Sequence, residues 1–174
     1  LAAGYLVFLR NRTAVLMTDV QKRMQVGERR EDIERDILPL ALALINESLA
    51  VGIKERPTPE QTVGAIALLK GKIAEQFTGE GKGHEVAMAA FVKALFGEGC
   101  HVATATEPLA EAALNQFLPA FEALGLTAGV VTDKQTPDEK RTNYRKSITY
   151  GTMSRFGFDY LLDNTGVEAP VQAQ

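Results

Sequence analysis

An α/β fold with a mostly parallel sheet and helices gathered at the N-terminal end is what this sequence predicts. Three observations carry the prediction. Downstream of Gly71, short runs of β-branched and apolar residues alternate with stretches of helical period, the pattern of βαβ units. Upstream of Gly71 the apolar positions recur only at helical spacing. Between the two textures lies a glycine-rich stretch where a strand would turn into a helix. At 174 residues, 45% apolar and 24% charged, the chain suffices for one globular core and falls outside the disordered and fibrous classes.

Residues 2–17 are the first element, with an apolar run at 5–9 that Arg10, Asn11 and Arg12 interrupt. A spanning helix needs about 20 apolar residues in succession, and a signal peptide needs a basic start, a longer apolar stretch and a small-residue cleavage site. The segment fits neither and reads as a helix laid on the domain surface or on a neighbour. The chain opens on Leu1 rather than Met, as a piece cut from something longer would. Next, Ile33, Ile37, Leu38, Ala41, Leu44, Ile45 and Leu49 recur at steps of three and four between Glu31 and Val51, an amphipathic helix bracketed by Gly27 and Gly52. Thr58, Pro59 and Gln61 then stand as cap, first helical residue and capping-box partner of a short helix to about Leu69.

Residues 73–77 are the first predicted strand, followed by a turn through Gly83. Val86, Ala87, Ala89, Ala90, Phe91, Ala94 and Leu95 make a helix apolar on most sides, hence buried, that Gly97 and Gly99 stop. Residues 100–104 are the second strand. Leu109, Ala113, Phe117, Phe121 and Leu124 line one face of the next helix, with Pro108 in its first turn and Gly125 at its end. Residues 126–132 are the third strand. Thr136, Pro137 and Glu139 form a full capping box opening a polar helix to about Arg145, and residues 147–151 are the fourth strand. Phe156, Phe158, Tyr160 and Leu161 suggest a packed aromatic segment, and residues 167–174 a frayed end.

Nineteen Lys and Arg against 22 Asp and Glu leave a formal net charge of −3, so no global basic field holds a nucleic-acid backbone or an anionic membrane. The single Cys100 excludes an internal disulfide framework and a Cys-rich zinc site and fits a reducing, cytoplasmic compartment.

The stretch Gln76, Phe77, Thr78, Gly79, Glu80, Gly81, Lys82, Gly83 carries the chemistry. Glycines let backbone N–H groups turn toward an anion, a helix N-terminus adds its dipole, and Lys82 stands where a lysine reaches the outer phosphates. The full pattern fails at both ends, because Gln76 occupies the first glycine position and Gly83 the position of the magnesium-binding hydroxyl. Spacing alone fits both a phosphate-binding loop and a glycine-rich βα turn with no chemical role.

The residues around the loop resemble a known family. Gly71-Lys72-Ile73-Ala74-Glu75, Thr78 to Lys82, Phe91 to Leu95, Leu124-Gly125-Leu126-Thr127, Ile148-Thr149-Tyr150-Gly151-Thr152, Phe156-Gly157-Phe158-Asp159-Tyr160-Leu161 and Asp163-Asn164 resemble, in order, the first nucleotide-binding region of SecA, the motor ATPase of the bacterial preprotein translocase. The resemblance runs from about Asp32 to Asn164. It implies a three-layer, RecA-like, DEAD-like lobe of the P-loop NTPase kind, with residues 1–55 as a helical segment packed on it, 56–165 as an incomplete lobe and 166–174 as a tail. It further implies ATP or ADP as ligand, with the loop from Thr78 through Gly79, Glu80 and Gly81 cradling phosphates that Lys82 holds. Gln61 falls where the family reads adenine, and Arg56 matches a nearby arginine. A translocon channel and a preprotein are the implied partners, with a homo-oligomer admitted and membrane contact at most peripheral, at the inner membrane.

The departures bear on activity. Gly83 replaces the family's magnesium-binding threonine, Thr58 a phenylalanine near adenine, and Gln76 a methionine entering the loop. Met153-Ser154-Arg155 stands for Asn-Asn-Glu, and Leu162 for the arginine before Asp163-Asn164. The segment from Thr104 to Ala112 lacks the arginine of its counterpart, and the chain ends before an acidic Asp-Glu-x-Asp motif. A magnesium role is therefore doubtful and turnover of ATP by this stretch is not expected. Two readings follow: a divergent nucleotide-binding lobe, or a catalytically inactive interaction module on the same fold.

Other candidates are weaker. His84 and His101 lack surrounding ligands at metal spacing, and His84 could instead add a donor at the phosphate site. Asp159 and Asp163 read as a solvated pair, Lys140, Arg141, Arg145 and Lys146 as a solvated basic face, and Arg29, Arg30 and Arg35 among their acidic neighbours as a salt-bridged surface.

Overall fold

The computed structural model of the chain describes residues 2–76 and 81–165, the side chain of Ala2 excepted. In order these are α1 (Ala2–Gln25), α2 (Arg30–Gly52), α3 (Pro59–Leu69), α4 (Lys82–Ala94), β1 (Cys100–Thr104), α5 (Glu107–Ala123), β2 (Ala128–Val130), α6 (Pro137–Tyr144), β3 (Ile148–Thr152) and α7 (Met153–Thr165). The strands run parallel in the order β1-β3-β2, with Val102 and Val130 both in register with Tyr150. This is the three-layer α/β architecture the sequence predicts.

Alternation along the strands assigns the layers. Val102, Ile148 and Tyr150 enter the main core with Phe91 of α4 and Phe117 and Phe121 of α5. The opposite face carries Gly129 and Gly151, where an added Cβ would strike Asn143 of α6 and Phe156 of α7. Both helices thus lie against backbone that only glycine leaves open. His101 stacks on Phe156 at 4.7 Å on this face.

The N-terminal helices share the main core. Leu9, Leu16 and Val20 of α1 and Ile33, Ala41, Ile45 and Leu49 of α2 are buried with it. At the end of α2 a Cβ on Gly52 would stand 2.7 Å from Ala120 N, so this glycine serves the close approach of α2 to α5 rather than a left-handed helix end. Among the described residues no helix is long and apolar enough to cross a membrane. Both expected capping boxes form, Thr58 with Gln61 and Thr136 with Glu139.

Several expectations need correction. Residues 73–76 form no strand, and Phe77 lies outside the described residues. Ile73 is 96% exposed, so the run buries no side chain to reward pairing, and Gln76 turns instead to Glu85. The third strand spans only Ala128–Val130. The aromatic segment is helix α7, and only Phe156 packs; Phe158, Tyr160 and Leu161 are exposed. Asp159 is fully buried, taking hydrogen bonds from Tyr144 Oη at 2.7 Å and Arg155 at 2.6 Å, with Lys140 Nζ at 3.6 Å. Lys140 therefore leaves the solvated face and lies buried between α6 and α7. Burial, followed by the bond to Asp159, holds the Tyr144 hydroxyl far above its usual range. Arg29, Arg30 and Arg35 do form surface pairs, with Asp32, Glu98 and Asp36 among their partners. Residues 167–174 lie outside the described residues.

Candidate functional site

The start of α4 is built from three directions. Gly81 caps the helix at φ 78° and ψ 35°, a left-handed conformation that glycine adopts without strain. It leaves Lys82 exposed at the first helical position, above a helix whose Ala87, Met88, Ala90 and Phe91 are buried. An exposed cation thus sits on a rigid, core-anchored helix start, where the dipole end favours an anion. Thr78, Gly79 and Glu80, the expected cradle, lie outside the described residues.

From α3, Gln61 reaches both ways. Its Oε1 accepts from Thr58 N–H at 3.0 Å, and its Nε2 donates to the Gly81 carbonyl at 3.5 Å, so one amide ties the start of α3 to the cap of α4. The same carbonyl accepts from His84 N–H at 3.0 Å. Arg56 is drawn elsewhere, donating to Glu47 at 2.8 and 3.3 Å, while Tyr5 donates to the same carboxylate at 2.9 Å. The Arg56 hydrogen bond, with that from Tyr5, holds Glu47 below its ordinary range. Gln61 is thus brought to the helix start, and Arg56 is engaged on the surface.

From below, α5 supplies Phe117. A Cβ on Gly83 would lie 2.9 and 3.0 Å from the Cε2 and Cζ of that ring, which is 1% exposed. Gly83 itself is exposed, but the first carbon of any side chain there would press on this ring. His84 meets Phe117 edge-on at 5.2 Å between ring centroids. It is 8% exposed; its Nε2 lies 2.8 Å from Glu55 Oε2 as an ion-pair contact, and neither ring nitrogen makes a hydrogen bond.

Sequence reasoning missed Glu85. This carboxylate is 3% exposed, packs on Gly64 of α3 and accepts from Gln76 Nε2. The available signal was Gly64 itself, a glycine inside a helix that only a close neighbour explains. Glu55 and Phe117 were likewise missed as neighbours of the loop, since their proximity is tertiary.

An exposed Lys82 at the dipole end of α4 suits an anion, while Gly83 carries no side-chain oxygen of its own. Among the described residues no group of three or more His, Cys, Asp and Glu side chains converges as metal ligands, and His84 and His101 belong to separate aromatic contacts.

A parallel sheet flanked by helices, with a glycine-capped, lysine-bearing helix start beside it, is the architecture of the α/β class whose ligands sit at helix N-termini. The chain matches the family model of the SecA DEAD-like domain over residues 8–173, and it is a member of that family. It is 40% identical over 153 residues to the protein translocase subunit SecA of Stutzerimonas stutzeri (strain A1501), covering 85% of this chain and 17% of the relative. The SecA of Clostridium botulinum (strain Okra / Type B1) is 41% identical over 142 residues, covering 82% and 16%. The protein translocase subunit SecA 2 of Clostridioides difficile (strain 630) is 39% identical over 156 residues, covering 90% and 19%. The chain thus spans less than a fifth of the length of these relatives.

Proposed function

We propose that the chain is the nucleotide-binding lobe of a protein-translocation motor, holding ATP or ADP phosphates at the loop from Thr78 to Gly83 with Lys82 as the phosphate cation. The observation that carries this reading is the exposed Lys82 at the first position of a buried, glycine-capped helix in a SecA DEAD-like domain. Residues 56–165 are the lobe, 1–55 the helical segment packed on it, and 166–174 a tail. Gln61 and Arg56 face the adenine when nucleotide is bound; Gln61 already touches the loop, and Arg56 reaches the base by releasing Glu47.

Binding proceeds without a magnesium bridge, and the lobe does not hydrolyse ATP, because Gly83 brings no hydroxyl to the metal. The lobe works on the cytoplasmic side of the inner membrane, with a channel and an unfolded preprotein as the partners its SecA relatives suggest.

The crowding of position 83 by Phe117 also favours a second reading, an inactive interaction module on the same fold. Calorimetric titration with ATP and ADP, with and without magnesium, separates the two. Binding that Lys82→Ala abolishes and magnesium does not strengthen supports the nucleotide lobe. No heat up to millimolar nucleotide, from protein shown to be folded, sinks it and leaves the interaction module.

A further inference from the structure

The chain has two histidines, and neither is used by the function proposed above. His84 stands at the third position of α4 and is 92% buried, its exposure being 8%. Its ring is fixed on two sides, by the edge-on contact with Phe117 and by Glu55, whose Oε2 lies 2.8 Å from Nε2. The remaining nitrogen, Nδ1, is buried with no hydrogen-bond partner and points back at the helix cap, 3.5 Å from where a Cβ on Gly81 would be. A buried donor or acceptor left unpaired is destabilising, and a ligand that bonds this atom would relieve that cost. A capping role would bring Nδ1 into a hydrogen bond with the Gly81 amide, and no such bond forms.

We infer that His84 is a phosphate-specificity residue of this lobe, its Nδ1 donating to an anionic phosphate oxygen at the start of α4 while Glu55 holds Nε2. The inference rests on the phosphate-binding reading and adds to it the group that replaces the metal. The ligand then meets the Lys82 ammonium, the His84 N–H and the α4 dipole together. The charged groups around the ring are Glu55 from the α2–α3 connection and Lys82 and Glu85 on α4 itself. Glu85 is turned away onto Gly64 and bonded by Gln76, while α3 and α5 present the neutral Gln61 and Phe117. Position 83 cannot supply a metal ligand, whereas position 84 can supply a donor one residue along the same helix turn.

The test uses the whole chain in chelator-containing buffer, titrated separately with pyrophosphate, ADP and ATP and followed by NMR of the imidazole nitrogens. His101, on the far face of the sheet, is the internal reference and reports the fold. The His84 ring nitrogens shift on ligand addition, those of His101 stay in place, and His84→Leu weakens binding about ten-fold or more, as loss of a charge-assisted hydrogen bond requires. An equal shift with pyrophosphate assigns the site to phosphate itself; a shift with ADP and ATP alone assigns it to the nucleotide. If the chain binds nucleotide, loses it in Lys82→Ala, and yet shows an unmoved His84 signal with His84→Leu binding within about two-fold of the parent, the role of His84 is overturned and the lobe reading stands. If the folded chain binds none of the three ligands, both fall.

Discussion

Restoring a threonine at position 83 tests whether this loop has been rebuilt or merely lost a residue. Apolar carbons rest about 3.5–4.0 Å apart, but the Cβ of Gly83→Thr would begin 2.9 and 3.0 Å from two ring carbons of Phe117. The ring is 1% exposed and is held edge-on by His84, so it yields only by moving its neighbours. Overpacking of this kind costs about 1–3 kcal/mol. Threonine regains roughly 0.3–0.5 kcal/mol over glycine in helix propensity. The net loss is about 0.5–2.7 kcal/mol, a fall in Tm of roughly 1–11 °C for a chain of this size. Urea unfolding of Gly83→Thr, Phe117→Leu and the double variant closes a thermodynamic cycle. The double variant is more stable than the sum of the single losses by about 1 kcal/mol, because a smaller residue at 117 vacates the space. A Gly83→Thr protein as stable as the parent, with no coupling to Phe117→Leu, would refute the claim that Phe117 occupies the threonine's volume.

Three further outcomes are expected. Asp159→Asn leaves Arg155 and Lys140 without their buried anion and lowers unfolding stability by about 3 kcal/mol in denaturant titration. Desolvation lowers the His101 imidazole below its ordinary range, so the unfolded chain binds more protons than the folded one as pH falls through that range. Stability from this residue is full above pH of about 6.5 and declines below it; in His101→Gln the melting temperature falls less between neutral and mildly acidic pH than in the parent. Thr136→Ala removes the capping hydroxyl of α6 and costs about 1 kcal/mol in the same unfolding assay, an unchanged midpoint counting against the cap.

What the sequence announced was local chemistry. The capping boxes at Thr58 and Thr136, the helix boundary at Pro59 and the stops at Gly97 and Gly125 depend on residues three or four apart, and all are found in the structure. What it hid was tertiary. The period of residues 73–76 looks like a strand, yet a strand exists only where a partner pays its entropy, and none pairs there. Asp159 reads as a surface carboxylate until Tyr144, Arg155 and Lys140 converge on it from α6 and α7. Of the candidate site, the Gly81–Lys82 helix start and the capping role of Gln61 were legible because each depends on residues close in sequence. Phe117, Glu55 and Glu85 were not, because nothing in the spacing says which distant side chain fills a gap or faces a histidine.

The departures from the family pattern share a physical character. Thr58, in place of a phenylalanine, caps α3 by accepting from Gln61 N–H at 3.3 Å. Gly83, in place of a threonine, lets the Phe117 ring approach within 2.9 Å of where a Cβ would stand. Gln76, in place of a methionine, donates to the buried Glu85. Arg155, in place of a glutamate, donates to buried Asp159 at 2.6 Å and to Asp133 at 2.7 Å, where an acid would have set carboxylate against carboxylate. Decay without replacement leaves cavities and unpaired charges, each destabilising by one to several kcal/mol, about as much as a domain can lose before it unfolds. At these four positions the new side chain, or its neighbour, makes a bond or a close contact, while Gln76 Oε1 and Arg155 Nε stay buried without a partner. The bonds these side chains make keep α3, α4 and α7 in place, which either reading, nucleotide lobe or interaction module, requires of the fold.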